Sequence, residues 1–106
     1  MIAPTSTPRP ITPLRQRTLD DMSVRGLSED TRRDYIRLVA RFAVFLSRPP
    51  DTATPDDVRC FQIYQREHGA QPPTLNSTVS ALRFFFTTTL NRPDLSQRLV
   101  VARYAQ

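Results

Sequence analysis

Asn76, Ser80, Arg83 and Thr87 recur at i, i+4, i+7 and i+11. On an α-helix that spacing lines four polar side chains along one edge. Asparagine and arginine carry donor and acceptor sets that match the adenine and guanine edges of a DNA major groove. Serine and threonine are small enough to let a helix come close to phosphates. The same stripe also reads as a solvated face, as most polar stripes are. A second set lies upstream. Thr31 and Arg32 fall near the start of a helix, where free N–H groups and the helix dipole favour an anion. Arg33, Arg37 and Arg41 continue from them as a basic ridge. Glu29–Arg33 and Asp34–Arg37 have the spacing of intrahelical ion pairs, so the ridge reads equally well as a self-paired solvated face.

No catalytic or metal-binding set accompanies these residues. The chain has one histidine, His68, and one cysteine, Cys60, too few for a metal-ligand set. His68 falls near a helix end, where a protonated ring suits the dipole. Cys60, beside Phe61, reads as a small core filler, and Tyr35 and Tyr64 read as core. There is no nucleophile–base pair, no P-loop and no G-x-G-x-x-G pattern, so no cofactor and no small-molecule substrate are expected. A single cysteine excludes an internal disulfide and suits a reducing compartment. The N-terminus lacks the layout of a signal peptide and no apolar run reaches membrane length, so a cytoplasmic protein without a membrane partner is expected. All 15 basic residues are arginine, against 10 acidic residues, giving a formal charge of +5. Such a balance favours an anionic partner, and arginine grips phosphate bidentately.

The elements that must carry these residues are helical. At 106 residues the chain is one small domain. Residues 1–12, with Pro4, Pro8 and Pro10, read as a loose arm. A first helix over roughly 13–25 starts at Pro13, has Leu14, Leu19 and Met22 on a loose apolar face, and stops at Gly26. Ser28 caps the second helix, whose inward face is Tyr35, Leu38, Val39, Phe42, Phe45 and Leu46, and Pro49-Pro50 ends it. Thr54-Pro55-Asp56-Asp57 opens a third helix with Val58, Phe61 and Tyr64 inward, closed by Gly69. Pro72-Pro73 bars any continuation and Thr74 caps a fourth helix, with Leu75, Val79, Leu82, Phe85, Phe86 and Leu90 on one face. Phe84 points off that stripe, either into a second buried face or toward a docking partner. A short fifth helical piece falls between Asp94 and Val101. The expectation is an all-α, compact bundle of four main helices spanning 13–92, with 93–106 as a C-terminal tail or linker.

The pattern Leu-Ser-x-x-Thr-x-x-x-Tyr at Leu27–Tyr35, followed roughly 45 residues later by Ser-Ala-Leu-Arg-Phe-Phe at Ser80–Phe85, resembles the N-terminal SAM-like core-binding domain of tyrosine recombinases, the phage-integrase family. The resemblance covers roughly residues 12–100. It implies a helical bundle that forms half of a clamp on double-stranded DNA, its second and fourth helices crossing the major groove. On that footing Thr31, Arg32, Arg37, Asn76, Ser80, Arg83 and Thr87 are the DNA-contact candidates. Phe84, or the first helix, is the candidate docking surface for recombinase subunits or a catalytic domain. The family's chemistry needs two arginines, a lysine, a His-x-x-Arg box and a tyrosine nucleophile. This chain has no lysine, His68 is followed by Gly69-Ala70-Gln71, and Tyr104 lacks that company and reads as linker. The resemblance therefore implies a binding module without catalysis of its own. The rival expectation is a stand-alone helical protein that joins or inhibits recombinase assembly.

Overall fold

In the computed structural model, which describes residues 13–102, helical elements follow one another with no strand among them. They are α1 (Pro13–Val24), α2 (Glu29–Leu46), α3 (Pro55–Glu67), α4 (Pro72–Phe84), a π-helical turn (Phe85–Thr89) and a short α5 (Pro93–Ser96). A 3-10 turn, Pro50–Thr52, joins α2 to α3. The fold is all-α, as the periodicity predicts. The arm at 1–12 and Tyr104 lie outside the described residues.

Local chemistry sets most of the boundaries. Gly26 ends α1 at φ +72°, a backbone region that glycine enters without steric cost. The Ser28 hydroxyl accepts the Thr31 N–H at 3.2 Å and opens α2. α2 stops before its prolines: Ser47 adopts φ +59° and gives its N–H to the Ala43 and Val44 carbonyls, so Pro49 and Pro50 follow the stop rather than cause it. α3 opens on a reciprocal capping box. The Thr54 hydroxyl accepts the Asp57 N–H at 3.2 Å, and the Asp57 carboxylate accepts the Thr54 N–H at 2.9 Å. Arg48 reaches across to the same carboxylate. Partial burial works to raise the Asp57 carboxyl, but the Thr54 bonds and the Arg48 charge outweigh it and hold the group below its ordinary value.

The start of α4 corrects the sequence reading. Thr74 is not its cap; the helix begins at Pro72, with Gln71 in the cap position and no side-chain cap bond. Prolines have no N–H to satisfy and a φ already suited to a first turn, so the pair that looks like a barrier is the helix start.

Four helices and the π turn share one core. Leu38, Val39, Phe42 and Leu46 of α2 meet Val58 and Phe61 of α3, Val79 and Leu82 of α4, and Phe85 and Phe86. Phe42 is fully buried, with the Phe61 ring 5.2 Å and the Phe86 ring 5.6 Å away, both edge-on. Leu95 and Leu99 are buried in the same core, so residues 93–99 pack against the bundle. Two expected core residues are not inside. Cys60 is exposed, its Sγ 3.8 Å from Asp56 Oδ2. Tyr64 is 42% exposed, its ring tilted against those of Phe45 and His68. The inward stripe of α3 is narrow: only Val58 and Phe61 are buried, and Cys60 lies about 200° around the helix from Val58.

The π turn fixes α1. The Leu90 N–H bonds the Phe85 carbonyl at 2.9 Å, one residue wider than an α-helical bond. Thr89 is thereby buried against α1, where its hydroxyl donates to Asp21 Oδ2 at 2.8 Å and its carbonyl accepts Arg17 Nη2 at 3.0 Å.

Candidate nucleic-acid interface

α2 packs more extensively on α4 than on any other element. Between their polar edges runs an open cleft of about 590 Å³. From α2 it is lined by Thr31, Asp34, Arg37 and Arg41, and from α4 by Thr74, Ser77 and Ser80. The cleft brings together three of the seven contact candidates, Thr31, Arg37 and Ser80, which come from separate stretches of sequence. Arg41 was visible in the basic ridge. Asp34 reads from sequence only as an ion-pair partner of Arg37 and Thr74 only as a cap, while Ser77 carries no sequence reading; the signal that places all three in the cleft is helical spacing from Thr31, Arg37 and Ser80.

The charges on this face are only loosely committed. Arg33 pairs with Asp30 at 2.7 Å rather than with Glu29, and the expected Asp34–Arg37 pair is present at 3.7 Å. Each partner in both pairs is more than half exposed. Exposed ion pairs of this kind are worth about 0–1 kcal/mol, so an incoming anion exchanges for them at little cost. Arg32, Arg41 and Arg83 make no ion pair among the described residues. Asp34 is the one carboxylate in the cleft, and Arg37 sits against it.

The remaining candidates are placed differently. Arg83 is exposed on α4 beyond the cleft, and Arg32 is half-buried outside it. Thr87 lies within the π turn, off the helical register of the stripe, and its hydroxyl is 2.6 Å from Ser96 Oγ. Asn76 has both ends of its amide engaged: Nδ2 donates to the Ala102 carbonyl at 3.1 Å and Oδ1 accepts the Ala102 N–H at 2.8 Å. Gln62 does the same to Val100, at 3.0 and 3.1 Å. The two amides thus clamp the segment that leaves the bundle. Phe84 is half-buried, 6.1 Å from the Tyr35 ring, with the Arg25 guanidinium 5.8 Å above it.

Among the described residues no group of three His, Cys, Asp or Glu side chains could hold a metal ion, and no helix is long and apolar enough to cross a membrane.

No solved structure matches the chain. Over 83 residues it is 41% identical to a Sinorhizobium fredii (strain NBRC 101917 / NGR234) protein named "Putative integrase/recombinase y4qK". That stretch is 77% of this chain but 27% of the relative. Residues 14–94 match the family described as phage integrase, N-terminal SAM-like domain. The motifs at Leu27–Tyr35 and Ser80–Phe85, the four main helices and this match agree, and the chain belongs to the phage-integrase family as its N-terminal SAM-like, recombinase-related module.

Proposed function

We propose that this domain grips double-stranded DNA for a site-specific recombinase, with the α2/α4 cleft as its contact face. The observation that carries the proposal is the pairing of Arg37 and Arg41 on one wall with Thr31, Ser77 and Ser80 around them, in a cleft whose one carboxylate is already partnered. Arginine supplies charge and bidentate donors to phosphate, and small hydroxyl residues let α4 come close. Arg32 and Arg83 flank the cleft as further cations. Asn76 acts as a clamp on Ala102 rather than as a base reader. Strand cleavage is not an activity of this chain, which has no lysine and no His-x-x-Arg box. Recombinase subunits are the protein partners.

Fluorescence anisotropy with a labelled duplex tests this. If Arg32, Arg37, Arg41 and Arg83 each meet one phosphate, log K falls with log salt at a slope of about −3.6, and affinity drops roughly a hundredfold from 50 to 200 mM. Binding that is flat in salt, or absent at low salt, rejects the reading. Arg83→Ala then assigns that side chain. A base reader loses about 1–3 kcal/mol on the true site alone, whereas a phosphate contact loses the same on every duplex.

A further inference from the structure

A second groove, about 800 Å³, lies between α3 and the 97–102 segment and shares no lining residue with the α2/α4 cleft. Arg59, Ile63 and Arg66 stand at i, i+4 and i+7, on one face of α3, and Arg98 contributes from the other wall. None of the three arginines makes an ion pair among the described residues, and no acidic side chain lines the groove. Apolar surface lies beside this charge: Ile63 is 41%, Val100 69% and Val101 52% exposed.

The backbone of the second wall is equally unfinished. Gln62 and Asn76 take the N–H and carbonyl of Val100 and Ala102, alternate residues, which is the pattern of an extended chain bonded along one edge. Val101, between them, makes no hydrogen bond among the described residues. In an extended chain its N–H and carbonyl face the opposite edge, where another extended segment can take them.

We propose that this groove docks an extended polypeptide segment of another protein, one that carries both carboxylates and apolar side chains. Carboxylates complement Arg59, Arg66 and Arg98. Apolar side chains cover Ile63, Val100 and Val101, and backbone pairing with Val101 orients the segment. A nucleic acid would satisfy the arginines but leave those three aliphatic side chains in water. The proposal is independent of the DNA reading, because the two faces are separate.

The test is a titration of the 15N-labelled 106-residue chain, followed by amide chemical shifts, with a ten-residue peptide alternating glutamate and valine. Expected are saturable shifts confined to α3 and residues 97–102. A glutamate–serine peptide of equal charge should bind roughly tenfold more weakly, as should the Arg59→Glu/Arg66→Glu double variant and, separately, Val100→Ser. All three positions are exposed, so a far-UV spectrum matching the parent chain is expected of each variant. No binding at millimolar peptide, equal binding of the two peptides, or shifts centred on the α2/α4 cleft overturns the proposal. So does a DNA duplex that shifts the same amides and displaces the peptide, which would make the groove a phosphate-contact face.

Discussion

A side chain's type says what it can bond; only its neighbours decide what it does bond. Asn76 shows the difference. Its place in the polar stripe at i, i+4, i+7 and i+11 suits an adenine edge, yet both ends of its amide are held by Ala102. No spacing rule could reveal this, because the partner lies 26 residues away. Asn76→Ala should therefore loosen residues 99–102, seen as faster amide exchange there, and leave sequence discrimination on DNA unchanged; the reverse pattern would restore Asn76 as a base reader. Asp57 is closer to legible: Thr54-Pro55-Asp56-Asp57 announces the helix start, though its reciprocal bond to the Thr54 N–H and its Arg48 partner show only in the structure. Asp57→Ala removes half of the capping box and the Arg48 partner and should cost about 1 kcal/mol at pH 7. The folded carboxyl titrates below its ordinary value, so its contribution is complete above about pH 4 and fades as pH falls through the folded value. Urea midpoints for parent and variant should differ at pH 7 and converge toward pH 2; a gap that stays constant between those pH values removes the charge from the explanation.

The helices themselves were legible wherever an apolar period met a cap, as in α2 with Ser28 and α3 with Thr54. Two features of the elements were not. Pro72-Pro73 looks like a barrier but forms the first turn of α4, since sequence alone does not say on which side of a proline the helix lies. The π turn leaves no period of its own; the run Phe84-Phe85-Phe86 is its only trace, and the wider hydrogen bond shows only in the backbone. Its consequence is a joint between α1 and the end of α4, made by the Thr89 hydroxyl on Asp21 and by Arg17 on the Thr89 carbonyl. Thr89→Val keeps the shape and removes the donor. It should destabilise the domain by about 0.5–1.5 kcal/mol, because the replacement removes the bond to Asp21 Oδ2 from a part-buried contact. Chemical denaturation measures the cost, and exchange protection of α1 should fall more than that of α2. A neutral substitution would mean that apolar packing through Met22 and the Arg17 bond to the residue-89 carbonyl, which valine keeps, hold α1 in place without the hydroxyl.

At the scale of the molecule, the cleft exists because the aromatic core fixes how α2 lies against α4. Phe42 is the keystone: its ring meets Phe61 of α3 and Phe86 of the π turn edge-on, so one side chain sets the mutual position of three elements. Whole-molecule geometry of this kind was only partly legible. The inward stripes name the core residues, but not that Leu95 and Leu99 complete it, nor that Tyr64 is left outside. Phe42→Ala empties a fully buried site and should cost about 3–5 kcal/mol. Against the roughly 5–15 kcal/mol that holds a small domain folded, that loss leaves a marginal protein. Phe42→Leu retains most of the volume and should lose less, keeping the fold while α4 settles differently on α2. Thermal unfolding and duplex affinity measured on both variants separate the two effects. If the cleft depends on helix placement, Phe42→Leu should weaken DNA binding at a temperature where it remains fully folded, with the salt slope reduced because Arg37 of α2 and Arg83 of α4 no longer meet one duplex together. If affinity and slope stay at their parent values in the folded leucine variant, contact is made by independent side chains on α2, and the cleft is incidental to it.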